Sequence, residues 1–319
     1  MSSEGLLLAD IGGTNARFAM AEQGRPGPVV HLSISDFVAP HEAIGAALEE
    51  LAPERPPRRA ALAVAGPVSE DQADLTNGVW HFDAAALSRD LGLESVHMIN
   101  DFSATAHALP HLAGEDLVSL GGGAGDPTAV QAVIGAGTGL GVSGLLVVEG
   151  RQVALAGEGG HVSLAADDGE EADLFEHLRQ RFQHISAERL LSGGGLVVLY
   201  EATAERAGQG PERLTPAEVT ARALASSDPH CRAALSRFCA LLGGVAGNLA
   251  LTLGARGGVY LAGGIAPRIL DFLITSDFRR RFEAKGRFRS YLEPIPSLVI
   301  THPNPALIGL IALAAQGDV

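Results

Sequence analysis

The sequence predicts a two-lobed α/β protein in which each lobe opens with a strand, a glycine-threonine turn and a returning strand. Three observations predict it. The chain has 319 residues, more than one typical core holds, so two lobes are expected. Hydrophobic residues make up 46%, with 40 Gly and 17 Pro, the composition of a well-packed α/β protein rather than a disordered chain. Finally, the apolar run that reaches Asp10 and breaks at Gly12, Gly13, Thr14 and Asn15 is repeated in arrangement by "AVIGAGTGLGVSGL", where Thr138 takes the place of Thr14.

The elements follow in order. Residues 6–10, 16–21 and 29–34 read as three short strands joined by Gly and Pro turns. Residues 41–51 form a helix, "RRAALAVAGPV" a buried strand ending at Gly66-Pro67, and residues 84–91 a second helix. "SVHMIND" is a strand stopping at Asn100-Asp101, and "SATAHAL" a helix ended by Pro110. The second opening then runs strand, turn, strand, a Glu149-Gly150 turn and another strand. The carboxyl half is mainly helical, over 173–182, 187–191, 195–207, 216–225 and 232–254. "GGVYLAGGI" is a buried strand running into Gly263-Gly264, and "ALIGLIALAAQ" is a terminal helix. These elements place a small α/β lobe at 1–110, with the terminal helix (about 299–319) packing back on it, and a large α/β lobe at 111–298.

Composition excludes several function classes. The formal charge is −14, from 23 basic and 37 acidic residues, which argues against a general nucleic-acid surface. A bound phosphate must therefore be held by local groups against the global field. Cys231 and Cys239 make neither a disulfide framework nor a metal motif, and read as buried on one helix face. Glu4 stands where a signal peptide would be basic, and the run 306–315 is too short to span a bilayer. A cytoplasmic protein with no membrane partner is the expectation. The single lysine, Lys285, precedes no Ser or Thr, so a Walker A loop is impossible, as is the strand lysine of a protein kinase. Any nucleotide phosphate would be held by backbone N–H groups, hydroxyls and metal.

The residues that could carry chemistry cluster at glycine turns and strand ends. Gly139, Gly141 and Gly144 match G-x-G-x-x-G, but the β-branched run after them is a strand, whereas a dinucleotide fingerprint must open a helix. The stretches 12–15, 135–141 and 263–264 each end an apolar strand. Each could be an ordinary turn; together they suggest backbone nests for an anion clamped between two lobes, with Asp10 holding its counter-cation. Asp101 sits at the carboxyl end of a strand, where open α/β sheets bind ligands, or merely caps the next helix. Glu158 and His161 lie three apart on a glycine-rich turn, and Glu188 lies early in a helix, where it could simply answer the dipole. With Asn100 and Asp101 these groups would make a pocket for a polyol, whose hydroxyls both donate and accept.

The chain resembles the bacterial glucokinase family, within the sugar kinases of the actin-like ATPase (ribonuclease H-like) fold. The resemblance runs nearly end to end, through "DIGGTNARFAM", "AGPV" followed by "LTNGVW", "INDFSATAHAL", "IGAGTGLGVSGL", "GEGGHVSL", "SAERLLSGGGL" and "LAGGIAPRI". Ala136 and Gly194 stand where many relatives carry proline. The resemblance implies that Asn100, Asp101, Glu158, His161 and Glu188 contact the hexose. It implies that Gly12, Gly13, Thr14 and Asn15, with Gly137, Thr138 and Gly139, hold the phosphates, and that Gly263 and Gly264 lie against the adenosine. Asp10 is then placed to hold Mg²⁺ through water. With only two cysteines, the zinc site of the related repressor and sugar-kinase group has no counterpart. The expected activity is transfer of the γ-phosphoryl group of MgATP to the 6-hydroxyl of glucose, with Asp101 as general base and a homodimer as the assembly. A kinase for another hexose or amino sugar, and a non-catalytic sugar-sensing regulator, are the alternatives.

Overall fold

The computed structural model describes residues 5–69, 71–76 and 78–317. Asn77 of the "LTNGVW" stretch lies outside them. Two compact units emerge: the chain up to Gly114, Gly144–Ala156 and the chain from His302 on, then Glu115–Ser143 with Gly157–Thr301.

The first unit begins with β1 (Leu6–Ile11), β2 (Asn15–Glu22), β3 (Arg25–Pro26), β4 (Val30–Ser33), α1 (Pro40–Leu51) and β5 (Arg59–Val64). It continues with β6 (Val68–Ser69), β7 (Gln72–Asp74), β8 (His81–Asp83), α2 (Ala84–Leu91), β9 (Ser95–Asn100) and α3 (Asp101–Ala108). The main sheet has the order β3-β2-β1-β5-β9, with β4 also paired to β2. β1, β5 and β9 are parallel, while β2 returns antiparallel to β1. The continuous apolar run of β1 is explained by burial on both faces. Side chains alternate along a strand, and here Leu7, Ala9 and Ile11 enter one cluster with Ile44 and Leu87 of α1 and α2. Leu6 and Leu8 enter another, with Ala104 of α3 and Leu307, Leu310 and Ile311 of the last helix.

That last helix and α3 are in backbone contact. A Cβ on Gly309 would stand 1.7 Å from the Ala104 carbonyl oxygen, so no larger residue fits without parting the two helices. α3, which begins at Asp101, is thereby clamped between the sheet and the C-terminal helix. The three-stranded antiparallel sheet β6-β7-β8 is absent from the sequence reading because strands of two or three residues show no alternation.

In the second unit come β10 (Leu117–Gly121) and β11 (Gln131–Ala136); β12 (Leu140–Val148) starts there and passes into the first unit after Ser143, where β13 (Arg151–Gly157) lies up to Ala156. Helices α4 (Gly169–Arg179), α5 (Ala187–Leu190), α6 (Gly193–Arg206), α7 (Pro216–Leu224) and α8 (Pro229–Leu253) follow. Then come β14 (Gly258–Ala262), α9 (Leu270–Thr275), α10 (Phe278–Glu283), α11 (Arg289–Leu292) and β15 (Ser297–Ile300); α12 (Pro305–Ala315) closes the chain in the first unit. The sheet order is β10-β15-β14-β11-β12-β13, with β11, β14 and β15 parallel. The sequence reading did not assign β10, β15, α10 or α11. It also started α4 at 173; the structure starts it four residues earlier, because the Asp168 side chain accepts from the Glu171 N–H and caps the first turn. α8 is long and apolar enough to cross a membrane, but 72% of its apolar window is buried inside the protein. It is the central core helix of this unit, carrying Cys231 and Cys239 at 0% exposure.

Candidate active site

In the first unit the predicted residues gather at the carboxyl edge of the parallel strands. Register pairs Ile11 with Val64 and Val64 with Asn100, so the ends of β1 and β9 lie two strand spacings apart, about 10 Å. Asp10 and the 12–15 turn stand over β1, Gly66 follows β5, and Asn100-Asp101 ends β9. β1 and β2 form a hairpin, with the Gly12 N–H donating to the Asn15 carbonyl at 3.0 Å. The 12–15 stretch is thus the turn of a β-hairpin.

Asp10 and Arg17 are direct cross-strand partners, and Arg17 Nη1 donates to Asp10 Oδ2 at 3.0 Å. Burial pushes the Asp10 carboxyl above its ordinary value, and the charge and hydrogen bond of Arg17 offset only part of that. A further positive charge at this carboxylate is therefore favoured.

Asn100 is fully committed. Its Oδ1 caps α3 by accepting from the Phe102 and Ser103 N–H groups, at 2.9 and 3.1 Å. Its Nδ2 donates to the Gly66 carbonyl and to Asp101 Oδ1, both at 3.1 Å. That accounts for two donors and two acceptor lone pairs. Asp101 Oδ1 accepts also from the Phe102 N–H at 3.0 Å, so the carboxylate is oriented by a side-chain and a backbone donor.

In the second unit, β11 and β14 are neighbours, with Gly135 opposite Ala262. Their carboxyl ends carry the 137–139 and 263–264 turns side by side. Gly263, at φ 80°, packs on Ala136: a Cβ there would lie 2.4 Å from the Ala136 oxygen. Gly137 and Gly264 differ. Neither has a positive φ, and nothing lies within 4 Å of where a Cβ would stand. A side chain would meet open space at either position.

Glu158, His161 and Glu188 meet beside this turn. His161 Nε2 lies 3.9 Å from Glu158 Oε2, and His161 Nδ1 lies 4.0 Å from Glu188 Oε1. Both gaps exceed hydrogen-bond length, and all three side chains are accessible. The loop that carries them is tied to the start of α5. Leu164 N–H donates to the Ile185 carbonyl and Ala187 N–H to the Val162 carbonyl, each at 2.9 Å.

The match to a family model described as "Glucokinase" spans residues 7–317. The chain belongs to the glucokinase family. Among curated relatives, the glucokinase of Nitrobacter hamburgensis is 48% identical over 310 residues, covering 97% of each chain. That of Paramagnetospirillum magneticum is 47% identical over 316 residues, covering 98% of each. Among solved structures, a glucokinase from an Antarctic psychrotroph superposes with a TM-score of 0.86 at 37% identity, covering 98% of each chain. A ROK family glucokinase from Streptomyces griseus, in complex with glucose and AMPPNP, shares the fold at a TM-score of 0.69 and 19% identity. The fold is the actin-like ATPase fold of these kinases.

Asp10 is a part-buried carboxylate whose desolvation Arg17 offsets only in part, and Mg²⁺ characteristically binds through one or two carboxylates, water and substrate phosphates. Among the described residues, no group of three or more His, Cys, Asp and Glu is placed to hold a metal. Sequence reasoning missed Arg17 and Gly66 as partners of Asp10 and Asn100. Arg17 was findable, since folding the hairpin about residues 12–14 puts it opposite Asp10.

Sequence reasoning also missed a buried ion-pair network. Glu171, at 0% exposure, accepts from Arg281 Nη1 at 2.7 Å, Arg281 Nη2 at 3.0 Å and the Asp167 N–H at 2.8 Å. Burial pushes its carboxyl up, but those hydrogen bonds and the Arg281 charge more than reverse this and hold it below its ordinary value. Arg281 Nη2 also donates to Asp167 Oδ2 at 2.9 Å.

Proposed function

We propose that this chain transfers the γ-phosphoryl group of MgATP to the 6-hydroxyl of glucose, yielding glucose 6-phosphate and ADP. The observation that carries this reading is the convergence of Glu158, His161 and Glu188 next to the 137–139 turn. The imidazole stands between two carboxylates at distances that leave room for hydroxyls rather than direct bonds. A hydroxyl can donate to a carboxylate while accepting from the imidazole, which suits a polyol. The names of the relatives at 47% and 48% identity supply glucose as the hexose.

Asp101 accepts the proton of the attacking hydroxyl, and Asn100 orients it. A sugar hydroxyl reaching Asn100 would have to replace one of the bonds the amide already makes. The 12–15 and 137–139 turns offer N–H groups and the hydroxyls of Thr14 and Thr138 to the phosphates. The adenosine lies by Gly263-Gly264, toward a concavity of about 550 Å³ lined by Leu224, Pro267, Arg268 and Phe272. Mg²⁺, held at Asp10, would neutralise phosphate charge. Phosphoryl transfer asks mainly for positioning and charge neutralisation, and these residues offer both. A cytoplasmic homodimer completes the proposal, with the exposed Val147, Val148 and Val153 as apolar surface for the second copy.

The test is a coupled ADP-release assay over a panel of hexoses and phosphoryl donors. Glucose with MgATP should give the highest kcat/KM. A larger value for mannose or an N-acylated amino sugar would move the substrate, and no turnover with any sugar would favour the sensing alternative.

A further inference from the structure

Glu188 has two carboxylate oxygens facing two different places. Oε1 faces His161 at 4.0 Å, inside the proposed hexose site. Oε2 accepts the Leu140 N–H at 2.8 Å, at the far end of the 137–139 turn. The fit is close: a Cβ on Gly139 would come within 2.5 Å of Oε2. The other end of the same turn is held from the same segment of chain, because the Gly193 N–H at the start of α6 donates to the Gly137 carbonyl at 2.8 Å. Within the turn, the Gly137 N–H donates to the Gly139 carbonyl at 2.8 Å.

The backbone under Glu188 is fixed. Ser186 caps α5 by accepting from the Arg189 N–H at 3.1 Å, and Ala187 is bonded to the loop that carries His161. The Glu188 side chain is about a third exposed, and its Oε2 is held by the Leu140 N–H. We propose that Glu188 is the residue through which hexose and nucleotide sense each other. A hydroxyl bonded to Oε1 and the Leu140 N–H on Oε2 share one carboxylate, so what fixes it on the hexose side also fixes it under the phosphate turn. By linkage, nucleotide on the turn tightens hexose binding by the same factor. The inference rests on the assignment of Glu158, His161 and Glu188 to the hexose, and it adds a role none of those contacts requires.

The test is isothermal titration of Mg-AMPPNP with and without saturating glucose, on the parent and three variants. For the parent, glucose should tighten the nucleotide roughly fivefold or more, within the usual range of coupling between sites. Glu188→Ala should weaken glucose and bring the nucleotide's glucose dependence to about onefold, the value for uncoupled sites. Glu158→Ala should weaken glucose but keep the parental coupling factor. Gly139→Ala, whose methyl would displace the carboxylate from the phosphate side, should weaken glucose severalfold with no nucleotide present. Thermal melts of each variant check folding. A parent with no coupling overturns the proposal. So does Glu188→Ala with weakened glucose but intact coupling, and in that case the hexose assignment still stands. Unchanged glucose affinity in Glu188→Ala overturns both. Unchanged glucose affinity in a folded Gly139→Ala overturns the link to the turn alone.

Discussion

Replacing Asn100 separates two jobs that the wild-type amide does at once. Its oxygen caps α3 with two hydrogen bonds, while its nitrogen donates to the Gly66 carbonyl and to Asp101 Oδ1. Asn100→Ala removes all four. Loss of the cap costs about 1 kcal/mol, and a part-buried Gly66 carbonyl without this donor adds about 1 more. Asn100→Ser keeps a capping oxygen, so urea unfolding should show it within about 1 kcal/mol of the parent. Its activity should nevertheless fall, because Asp101 loses the side-chain donor and keeps the Phe102 N–H. A misplacement of the base of the order of an ångström costs about a hundredfold, and partial retention of orientation puts the expected kcat loss at roughly tenfold or more. Asn100→Asp keeps both caps but sets a second carboxylate against Asp101. Like charge favours the neutral form of the pair, so the acid limb of kcat should move to higher pH. The assay is coupled ADP release across pH, beside urea melts. Asn100→Ser with parental kcat, or an Asn100→Asp profile superimposable on the parent, would refute the orienting role.

Four further outcomes follow. Arg281→Met leaves Glu171 buried without its main partner and should cost about 3–5 kcal/mol in urea unfolding, with much of it recovered in Glu171→Met/Arg281→Met; a loss under about 1 kcal/mol would contradict this. Because the folded Glu171 carboxyl lies below its ordinary 4.5, its contribution is fully present above that pH and fades as pH falls through the folded value. The parent should therefore lose more stability on acidification than Glu171→Gln. Burial pushes the Cys231 thiol up to about 11 and Cys239 to about 12, so a disulfide reagent at pH 8 should titrate no thiol in the native protein and both in guanidinium; prompt native labelling would show the core opens. EDTA should abolish activity and Mg²⁺ alone restore it, whereas stoichiometric zinc in active protein would contradict the Asp10 assignment.

What the sequence showed and what it hid divide along physical lines. The strands that place Asp10, Asn100 and the two glycine turns were legible because they are long apolar runs stopped by glycine or a carboxylate. β6, β7 and β8 were not, because their short alternation carries no periodic signal, and β15 lies among prolines. Glu158, His161 and Glu188 could be named one by one, but only tertiary bonds such as Leu164 to Ile185 bring them together. Arg281 and Glu171 lie 110 residues apart, and no local pattern pairs them. Glycine was read at the three turns both as a conformational need and as room for close approach of an anion. The structure keeps the conformational need at Gly263 and replaces it with open space at Gly137 and Gly264.

The central claim is that Asp101 takes the proton from a glucose hydroxyl as ATP's γ-phosphoryl is transferred. Asp101→Asn tests it most directly, measured by steady-state kcat alongside calorimetric glucose affinity. An amide still hydrogen-bonds the hydroxyl, so glucose binding should hold within roughly tenfold while kcat falls on the order of a thousandfold. A variant that keeps a tenth of parental turnover would remove Asp101 from the base role, and with it this account of the chemistry.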